Sequence, residues 1–452
     1  MMKPTFASRA GKQKVGPAAD NHYTFVDLFA GAGGLSEGFE RAGCTPVAHV
    51  EMDKAACDTL RTRAAFHYLD RHGRLALYRK YLANKSGIRS EDFWKKVPKH
   101  VTDAVIQAEI SDSTLKDIFS EVDRLCAGRH VDLIIGGPPC QAYSLVGRAR
   151  VGKDLISHDP RNDLYKFYVK FLERYTPCMF VFENVMGILT ARGGEPFRDL
   201  CARVKGLGLD YEIEARECVA SKYGVLQHRH RYIIVGWRRK INGKTTDFHY
   251  PELEEVHQNF RVLDDLFSDL PARNAGEGTL TGIVRYTRPL SSMIYLKKAG
   301  IRGKLDFTTQ HIARPNNRND LDIYYQAVLM YQKGRRLKYT DVPADHQTHK
   351  NKKSFLDRFR VVDGKGCSHT LVAHIAKDGH YYIYPTPEPT PDNVRSITVR
   401  EAARIQSFPD DYFFEGSRSD AFRQIGNAVP VLLAYTIATA ILKQLDIWSM
   451  KS

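Results

Sequence analysis

One stretch decides the fold of this chain: Ile134-Ile135-Gly136-Gly137-Pro138-Pro139-Cys140-Gln141, an apolar strand that ends in a turn carrying one thiol. Val131 to Ile135 is apolar and β-branched, which is typical of a buried strand in a parallel sheet. The two prolines end that strand. Ligands of open α/β sheets bind just beyond the carboxyl ends of the strands, so Cys140 is placed for chemistry. The alternative is a structural cysteine, since free cysteines are often buried.

A second strand and turn lie near the start of the chain. Thr24 to Phe29 predicts a strand, and it runs into the glycine turn Ala30-Gly31-Ala32-Gly33-Gly34 and then into helical spacing. Glycines let the backbone approach a ligand closely, and the helix N-terminus offers amide donors. The next strand, Pro46 to Glu51, ends in an acid about twenty residues after the first glycine, the distance expected of a ribose-binding carboxylate. We therefore predict a nucleoside site at Glu51.

The spacing of that turn departs from Gly-x-Gly-x-x-Gly. Gly33 and Gly34 are adjacent, and position 36 is a serine. This departure weakens a dinucleotide interpretation.

Composition limits the partners of the chain. Its 452 residues carry a formal net charge of +15, with a sequence pI of about 9.3, which favours a polyanionic partner and nucleic acid first. A merely basic enzyme is the alternative. Eight cysteines without a Cys-x-x-Cys pair argue against a zinc ribbon and a secreted disulfide framework, so we expect a reducing compartment and no metal. No apolar run approaches the length of a membrane span.

Later strands deliver further polar groups. Ala104 to Ile110 predicts a third strand that closes at Glu109, and Cys178 to Phe182 predicts a buried strand that delivers Glu183. A helix N-cap is the alternative role for that acid. Alternation predicts that Gln227, Arg229 and Arg231 lie on one face of a strand, as a row of donors.

Three other segments have their own patterns. Leu145 to His158 is basic, rich in glycine and without apolar periodicity, which suits a mobile lid that closes on phosphates. The stretch from Asp58 to about Lys99 predicts one or two amphipathic helices that form a solvated packing insert, and a phosphate-contacting surface is the alternative. Tyr381 to Tyr384 predicts a β-rich piece of a smaller domain.

Five motifs in this order resemble the DNA (cytosine-5)-methyltransferase family. They are Asp27-Leu28-Phe29-Ala30-Gly31-x-Gly33-Gly34, Pro138-Pro139-Cys140-Gln141, Glu183-Asn184-Val185, Gln227-x-Arg229-x-Arg231 and Gly426-Asn427-Ala428-Val429-Pro430. The resemblance covers Tyr23 to Trp237 and Arg395 to Leu445. It implies an α/β fold of the class I S-adenosylmethionine-dependent methyltransferases, a Rossmann-like doubly wound sheet with an inserted smaller target-recognition domain.

The resemblance also implies catalytic roles. Cytosine C5 is a poor nucleophile, so a thiolate, Cys140, first adds at C6 to make an enamine-like intermediate. Glu183 is expected to hydrogen-bond N3 and the amino group, and Arg231 to hold O2. Arg229 is expected to support the lid and the backbone, and Gln227 the strand geometry. The base must leave the duplex stack to reach these groups.

The implied cofactor is S-adenosylmethionine. The family places Phe29 against the adenine, Gly31 and Gly33 near the methionine part, and Glu51 on the ribose hydroxyls. Glu109 stands where the family usually has aspartate at the adenine amino group, and that departure puts this assignment in doubt. The predicted cofactor set is completed by Met52, Pro138, Leu164, Asn427 and Ala428.

The resemblance divides the chain. We expect a disordered leader at 1–20, the first part of the catalytic and cofactor-binding domain at 21–248, a target-recognition domain at 249–392, and the second catalytic part at 393–452. Expected partners are double-stranded DNA and a cognate restriction endonuclease, with no membrane. We expect a monomer in the bacterial cytoplasm or nucleoid.

Recognition of bases is expected between Pro251 and Pro391, the only long segment without the family's catalytic motifs. Most of its polar side chains are expected to be phosphate contacts or surface charge. The candidates are Arg285, Arg288, Arg314, Asn316, Asn317, Arg318, Lys333, Arg335, Arg336, Lys350, Lys352 and Lys353.

Three rival functions remain at this point. A tRNA-methylating branch shares the chemistry, although the long basic segment favours DNA. A catalytically idle DNA-binding protein on this fold would not need Cys140, Glu183 and Arg231. A nicotinamide-dependent oxidoreductase explains Gly31 and Glu51 but leaves the proline-cysteine motif unexplained.

Overall fold

A seven-stranded mixed sheet forms the centre of the protein, of which the computed structural model describes residues 23–138, 163–185, 187–348 and 356–451. The first eight strands are β1 (Thr24–Leu28), β2 (Thr45–Glu51), β3 (Val105–Gln107), β4 (Leu133–Gly136), β5 (Met179–Asn184), β6 (Tyr211–Val219), β7 (Gln227–His228) and β8 (His230–Arg238). The order across the sheet is β3-β2-β1-β4-β5-β8-β6. β1 to β5 run parallel, and β8 runs antiparallel to β5 and β6. The predicted doubly wound architecture is confirmed, with its strand order reversing between β1 and β4.

Helices cover both faces of this sheet. In the described residues they are α1 (Gly34–Ala42), α2 (Lys54–Arg71), α3 (Leu75–Ala83), α4 (Ser90–Trp94), α5 (Lys99–Asp103), α6 (Leu115–Cys126), α7 (Leu164–Tyr175), α8 (Gly187–Thr190), α9 (Glu195–Gly206), α10 (Ile294–Lys298), α11 (Arg318–Gln332), α12 (Val399–Ile405), α13 (Arg418–Asn427) and α14 (Val431–Lys451). Successive residues of β1 alternate between the faces. Phe25 packs with α1 and α14, whereas Val26 and Leu28 pack with α6, α7 and α9.

The prediction of one or two helices between the second and third strands is wrong in number, because the described residues there form four, α2 to α5. Their aromatic side chains form one buried cluster, in which the Tyr81 and Phe93 rings stack with centroids 4.0 Å apart. The cluster reaches Phe307 and Phe413, far along the chain. The insert therefore joins distant segments by apolar packing, in agreement with a packing role.

Residues 249–392, called the middle segment below, contain little regular structure. Strands in and before it are short: β9 (Lys240–Ile241), β10 (Lys244–Thr245), β11 (Ile283–Arg285), β12 (Phe307–Thr309) and β13 (Ser368–His369). The predicted β-rich piece from Tyr381 to Tyr384 is wrong, because only Ile383 forms isolated bridges there. Tyr381 and Tyr382 instead pack against the ring of His369, and the Tyr382 ring stacks on it with centroids 5.1 Å apart.

The middle segment shares its core with the end of the chain. Leu266 and Tyr295 belong to the same buried cluster as Ala402 and Ile425. A buried ion-pair network crosses the same boundary, where Arg404 lies 2.6 Å from both Asp269 Oδ1 and Asp410 Oδ2. Its three side chains are at most 3% exposed, so removing one partner would leave an uncompensated buried charge.

α14 is a core helix. Its apolar residues, among them Leu433, Ile437 and Ile441, are buried against the sheet. Within the described residues, Arg418–Lys451 is long and apolar enough to cross a membrane by length and composition alone, but 61% of that window is buried inside the protein. Such burial is typical of a helix that packs in a folded core.

Two buried histidines make the free energy of unfolding depend on pH. Burial lowers the pKa of His311 from 6.5 to about 4 and that of His369 from 6.5 to about 3. His311 Nδ1 lies 3.0 Å from Thr398 Oγ1, and His369 Nε2 lies 2.7 Å from the Tyr381 carbonyl oxygen. In the unfolded chain these two imidazoles take up protons near pH 6.5, whereas in the folded protein they stay neutral to a much lower pH. Their contribution to the free energy of unfolding is therefore fully present above pH 6.5 and is lost as the pH falls toward 4.

We therefore expect the urea midpoint to fall between about pH 7 and pH 5, with each imidazole removing about 1.4 kcal/mol per pH unit of the window. His311→Gln and His369→Gln should each show a smaller fall than the wild type. The exposed His257 provides the control variant, His257→Gln, which should behave like the wild type. Equal falls in all four proteins would show that other groups set the pH dependence.

Candidate active site

The predicted site residues gather at one edge of the sheet. Because β1 to β5 are parallel, their carboxyl ends meet there. Phe29 follows β1, Glu51 ends β2, and Glu183 is the penultimate residue of β5. β3 ends at Gln107, two residues before the exposed Glu109 and earlier than predicted. The buried Pro138 follows β4 at the same edge.

Glu183 and Arg231 form an ion pair at this edge. Arg231 Nε lies 2.7 Å from Glu183 Oε1, and the two side chains are 12% and 15% exposed. The pair forms because β8 runs antiparallel to β5, so the start of β8 lies beside the end of β5. A partly buried, charge-assisted hydrogen bond fixes the carboxylate while leaving it open to a ligand.

Gly137 brings the predicted thiol turn next to this ion pair. A Cβ at Gly137 would lie 2.3 Å from the Glu183 carbonyl oxygen and 3.1 Å from Glu183 Oε2, so only glycine allows this close approach. Cys140 follows three residues later, and Cys140 and the predicted lid Leu145 to His158 lie outside the described residues. The described start of the turn therefore runs against the Glu183 carboxylate.

The predicted single strand through Gln227, Arg229 and Arg231 is divided in the structure. A break at Arg229 separates β7, which pairs with β13, from β8, which belongs to the main sheet. Gln227 and Arg229 are buried, at 0% and 1% exposure, whereas His228 and His230 are exposed, so the predicted alternation of faces is present. Local alternation could not reveal this break, because β13 lies about 140 residues further along the chain.

The two buried side chains tie three segments together. Gln227 Oε1 accepts from the Leu371 backbone N–H at 3.0 Å, and Arg229 Nη1 donates to the Leu371 carbonyl at 2.5 Å. Arg229 Nη2 reaches the Gly426 carbonyl at 3.5 Å, and Gln227 Nε2 donates to Gln406 Oε1 at 2.8 Å. Burial lowers the pKa of Arg229 well below its ordinary value, and the nearby Arg231 lowers it further. Arg229 is thus a positioning residue between the middle segment and the end of the chain.

Glu51 organises the glycine turn. Its Oε2 accepts from the Gly31 backbone N–H at 2.8 Å, and its Oε1 accepts from the Met52 and Asp53 backbone N–H groups at 2.8 and 2.7 Å. Burial raises the pKa of Glu51, although these three donors lower it. The turn closes at Gly33, whose left-handed backbone (φ 78°) caps α1.

Space for a ligand lies beside this turn. A Cβ at Gly31 would meet no atom within 4 Å. Met52 next to the half-buried Glu51 is 61% exposed, which is high for a large apolar side chain. The site of the predicted nucleoside therefore has an acceptor, an open backbone and an apolar surface.

The remaining predicted cofactor residues differ in position. Ala428 is buried against the turn, since a Cβ at Gly34 would lie 3.1 Å from the Ala428 Cβ. Asn427 is exposed at the end of α13, and Leu164 is half-buried at the start of α7. Of these residues, Ala428 packs against Gly34 of the glycine turn, whereas Leu164 lies at the start of α7.

Two supporting residues, Ser36 and His49, escaped the sequence prediction. The Ser36 hydroxyl donates to Asp27 Oδ2 and lies 3.1 Å from His49 Nδ1, and all three residues are buried. These contacts join α1 to β1 and β2 directly beneath the glycine turn. Two features of the sequence could have indicated these contacts. Ser36 replaces the third glycine of the dinucleotide pattern, and Asp27 is an acid inside an otherwise apolar strand.

One group with metal-ligating side chains lies elsewhere. Ligand atoms of His130, Asp132 and Cys178 lie within 4.8 Å of one another. They precede β4 and β5, at the edge of the sheet opposite to Glu183, and Asp132 Oδ2 already accepts from the Thr24 backbone N–H at 2.8 Å. This group is separate from the candidate active site.

Known proteins resemble this chain along nearly its whole length. The family model described as C-5 cytosine-specific DNA methylase matches residues 23–72 and 93–443, and its gap falls within the insert of α2 to α5. Type II methyltransferase M.Bpa9945I of Bacillus paralicheniformis is 37% identical over 92% of this chain and 98% of its own length. Type II methyltransferase M.XorII of Xanthomonas oryzae pv. oryzae is 30% identical over 93% of this chain and 84% of its own length.

A solved structure supports the fold. The crystal structure described as a DNA modification methyltransferase encoded within a prophage (E. coli) aligns with a TM-score of 0.59 and 22% identity. The alignment covers 94% of this chain and 99% of that chain. The shared architecture therefore includes the middle segment as well as the sheet.

Proposed function

Because this chain belongs to the C-5 cytosine-specific DNA methylase family, we propose that it methylates C5 of a flipped-out cytosine in duplex DNA through a covalent adduct with Cys140. The family and the type II relatives agree with the predicted enzyme class and with its restriction-modification association. One observation carries the mechanism: the Glu183–Arg231 pair lies against Gly137, three residues before Cys140.

The side chains at this edge suit the chemistry of cytosine. The Cys140 thiolate would form a bond to C6 while Glu183 delivers a proton to N3, so that the pyrimidine ring becomes an enamine with a nucleophilic C5. After C5 is methylated, a base takes the C5 proton, the C6–sulfur bond breaks, and the N3 proton returns to Glu183, which restores the aromatic ring, the thiolate and the acid. Arg231, which pairs with Glu183, would donate to O2 of the same base, and this ion pair supports that role. Arg229 supports the site indirectly, because its guanidinium donates to the Leu371 carbonyl and so holds that loop in place.

S-adenosylmethionine, which supplies an electrophilic methyl group when bound, fits the residues of the glycine turn. Glu51 offers acceptor oxygens for ribose hydroxyls, Met52 offers an apolar surface for a base, and the open side of Gly31 admits a ligand against the backbone. The same edge of the sheet carries Phe29, Glu109 and Pro138, and Leu164 lies at the start of α7. Gly33 and Ala428 shape the turn, and Asn427 ends the helix beside it.

Glu51→Gln is expected to weaken binding of S-adenosylhomocysteine by about 10 to 100 fold. The amide loses one charge-assisted hydrogen bond to a ribose hydroxyl, worth about 1.5–3 kcal/mol, and turns one acceptor into a donor facing backbone N–H groups. Isothermal titration calorimetry measures the affinity, and the melting temperature reports on folding. Glu91→Gln, at an exposed position of α4, is the matched control. Unchanged affinity in a folded Glu51→Gln protein would remove Glu51 from the cofactor site.

Sequencing for 5-methylcytosine in DNA from cells that express the protein tests the proposed reaction. We expect methylated cytosine at one recognition sequence, absent from cells without the protein. Methyl transfer to duplex DNA and to tRNA, compared side by side, separates the DNA reaction from its tRNA rival. Efficient methylation of tRNA alone would overturn the proposal.

The organisation of the chain completes the proposal. We propose that residues 21–248 and 393–452 form the catalytic unit and that residues 249–392 form the target-recognition domain. Support comes from the sheet and glycine turn in the first part and from Ala428 in the last. The leader 1–20 lies outside the described residues. We further propose a monomer that works beside a cognate endonuclease in the bacterial cytoplasm or nucleoid.

A further inference from the structure

Six of the nine described side chains that were predicted to contact DNA already have partners within the protein. Arg285 Nη1 lies 3.2 Å from Asp306, and Arg318 pairs with Asp322 and Asp392 at 3.1 and 2.7 Å. Arg314 donates to the carbonyls of Ile375 and Lys377 and is partly buried. These arginines stabilise the middle segment itself.

The other candidates divide into three groups. Arg288 donates to Ser268 Oγ at 2.8 Å, Asn316 donates to Tyr324 at 3.3 Å, and Asn317 caps α11 through the Asp320 backbone N–H at 2.8 Å. The second group lies outside the described residues: Lys350, Lys352 and Lys353. The third group, Lys333, Arg335 and Arg336, is exposed and has no side-chain hydrogen bond or ion pair to any residue that the structure describes.

This third group occupies one tight turn, the basic turn of residues 333–336, at the end of α11. Gly334 has a left-handed backbone (φ 71°), and its N–H donates to the Tyr331 carbonyl at 2.9 Å. The Arg335 N–H donates to the Met330 carbonyl at 2.9 Å, and the following residue, Leu337, is only 3% exposed. The backbone that carries the three cations is therefore fixed before any ligand binds, which lowers the entropy cost of binding.

Packing links the basic turn to the active-site edge. Leu337, which follows the turn, lies in the same buried cluster as Ile383, and the adjacent Tyr382 stacks on His369 with ring centroids 5.1 Å apart. His369 pairs with His228 in the β13–β7 ladder, directly before Arg229. Arg229 in turn precedes by two residues Arg231, which holds Glu183. The turn thus lies on the side of the middle segment that meets the catalytic arginines.

We infer that the basic turn binds the phosphate backbone of duplex DNA while the target cytosine occupies the site at Glu183. The inference rests on the proposed function and names a contact surface for its substrate. Its reasons are charge complementarity, three cations that have no side-chain partner in the described part of the chain and lie on a fixed backbone, and proximity to the active-site edge. Arginine suits this role, because its planar fork can donate two parallel hydrogen bonds to one phosphate. Such contacts orient the duplex without reading its sequence.

The test compares Arg335→Gln/Arg336→Gln with the control Arg318→Gln, which removes an exposed but paired arginine from the other end of α11. Dissociation constants are measured at several salt concentrations with two duplexes of equal length, one carrying the methylated site and one scrambled. Loss of two phosphate contacts should lower the slope of log affinity against log salt by about 1.8. Affinity for both duplexes should fall by the same factor. Melting temperature and the methylated sequence should not change.

Arg335→Lys/Arg336→Lys should keep most of the salt slope, because lysine retains the charge that attracts a phosphate. An unchanged slope in the glutamine variant would overturn the inference. So would weaker binding of the site duplex alone, or methylation of a relaxed sequence, since either would make the turn a base reader. Failure of the wild type to methylate any cytosine would defeat the proposed function instead, while the salt slopes on scrambled DNA would still test the turn.

Discussion

Cys140→Ser is expected to lower methyl transfer on the order of 10⁶-fold, the scale on which loss of a covalent nucleophile lowers turnover. The alcohol of serine has a much higher pKa and is less polarisable than a thiol, so it adds poorly to C6 of cytosine. Binding of S-adenosylhomocysteine should persist, because the predicted cofactor residues lie around Glu51 and the glycine turn. Single-turnover methyl transfer and calorimetry measure the two properties separately.

A second cysteine supplies the control for this prediction. Cys201 lies half-buried in α9, and it is not among the residues at the active-site edge. Cys201→Ser should therefore retain wild-type turnover. Substantial turnover by Cys140→Ser would contradict the covalent mechanism, whereas loss of activity in both variants would point to damage to the fold.

Glu183→Gln is expected to lower turnover by about 10² to 10⁴ fold, the range for loss of a general acid. The amide keeps a hydrogen bond to the base but cannot transfer a proton to N3. It also loses the charge that pairs with Arg231 Nε at 2.7 Å. DNA affinity should change far less than turnover, because most binding energy comes from phosphate contacts elsewhere. Single-turnover rates and dissociation constants on the same duplex give both quantities.

Glu173→Gln, at an exposed position of α7, provides the matched control and should leave both quantities unchanged. The informative opposite result is weakened DNA binding together with an unchanged single-turnover rate. That result would reassign Glu183 to a structural role at the end of β5.

Much of the fold was predictable from local pattern. The parallel strands are short, largely apolar runs, and β2 and β4 end in an acid and a glycine, a pattern that indicates strands buried on both faces. The same rule correctly placed Glu51 and Glu183 at the carboxyl ends of β2 and β5. These predictions succeed because burial and the strand period act within a few residues.

Predictions failed where distant segments decide the structure. Gln227 is buried because Leu371 and Gln406 supply its partners, and neither can be found from its neighbours in sequence. Arg63 in α2 has the composition of a surface residue, yet it pairs with Glu37 and Asp411 at 2.6 and 2.7 Å while only 7% exposed. Periodicity cannot separate such a buried arginine from an exposed one.

The middle segment shows the same limit. Its polar side chains look alike in the sequence, but the structure divides them into paired arginines, a helix cap and the basic turn. That division depends on acids such as Asp306 and Asp392, which lie tens of residues from some of their partners.

The most direct measurement of the central claim uses duplex DNA with 5-fluorocytosine at the target position. Fluorine at C5 blocks the final loss of a proton from that carbon, so the adduct between the thiol and C6 cannot be resolved. With S-adenosylmethionine and a proven site, we expect a denaturation-resistant complex, and mass spectrometry of its peptides should place the nucleotide on Cys140. Absence of any adduct under these conditions, or attachment at another residue, would contradict Cys140 as the nucleophile.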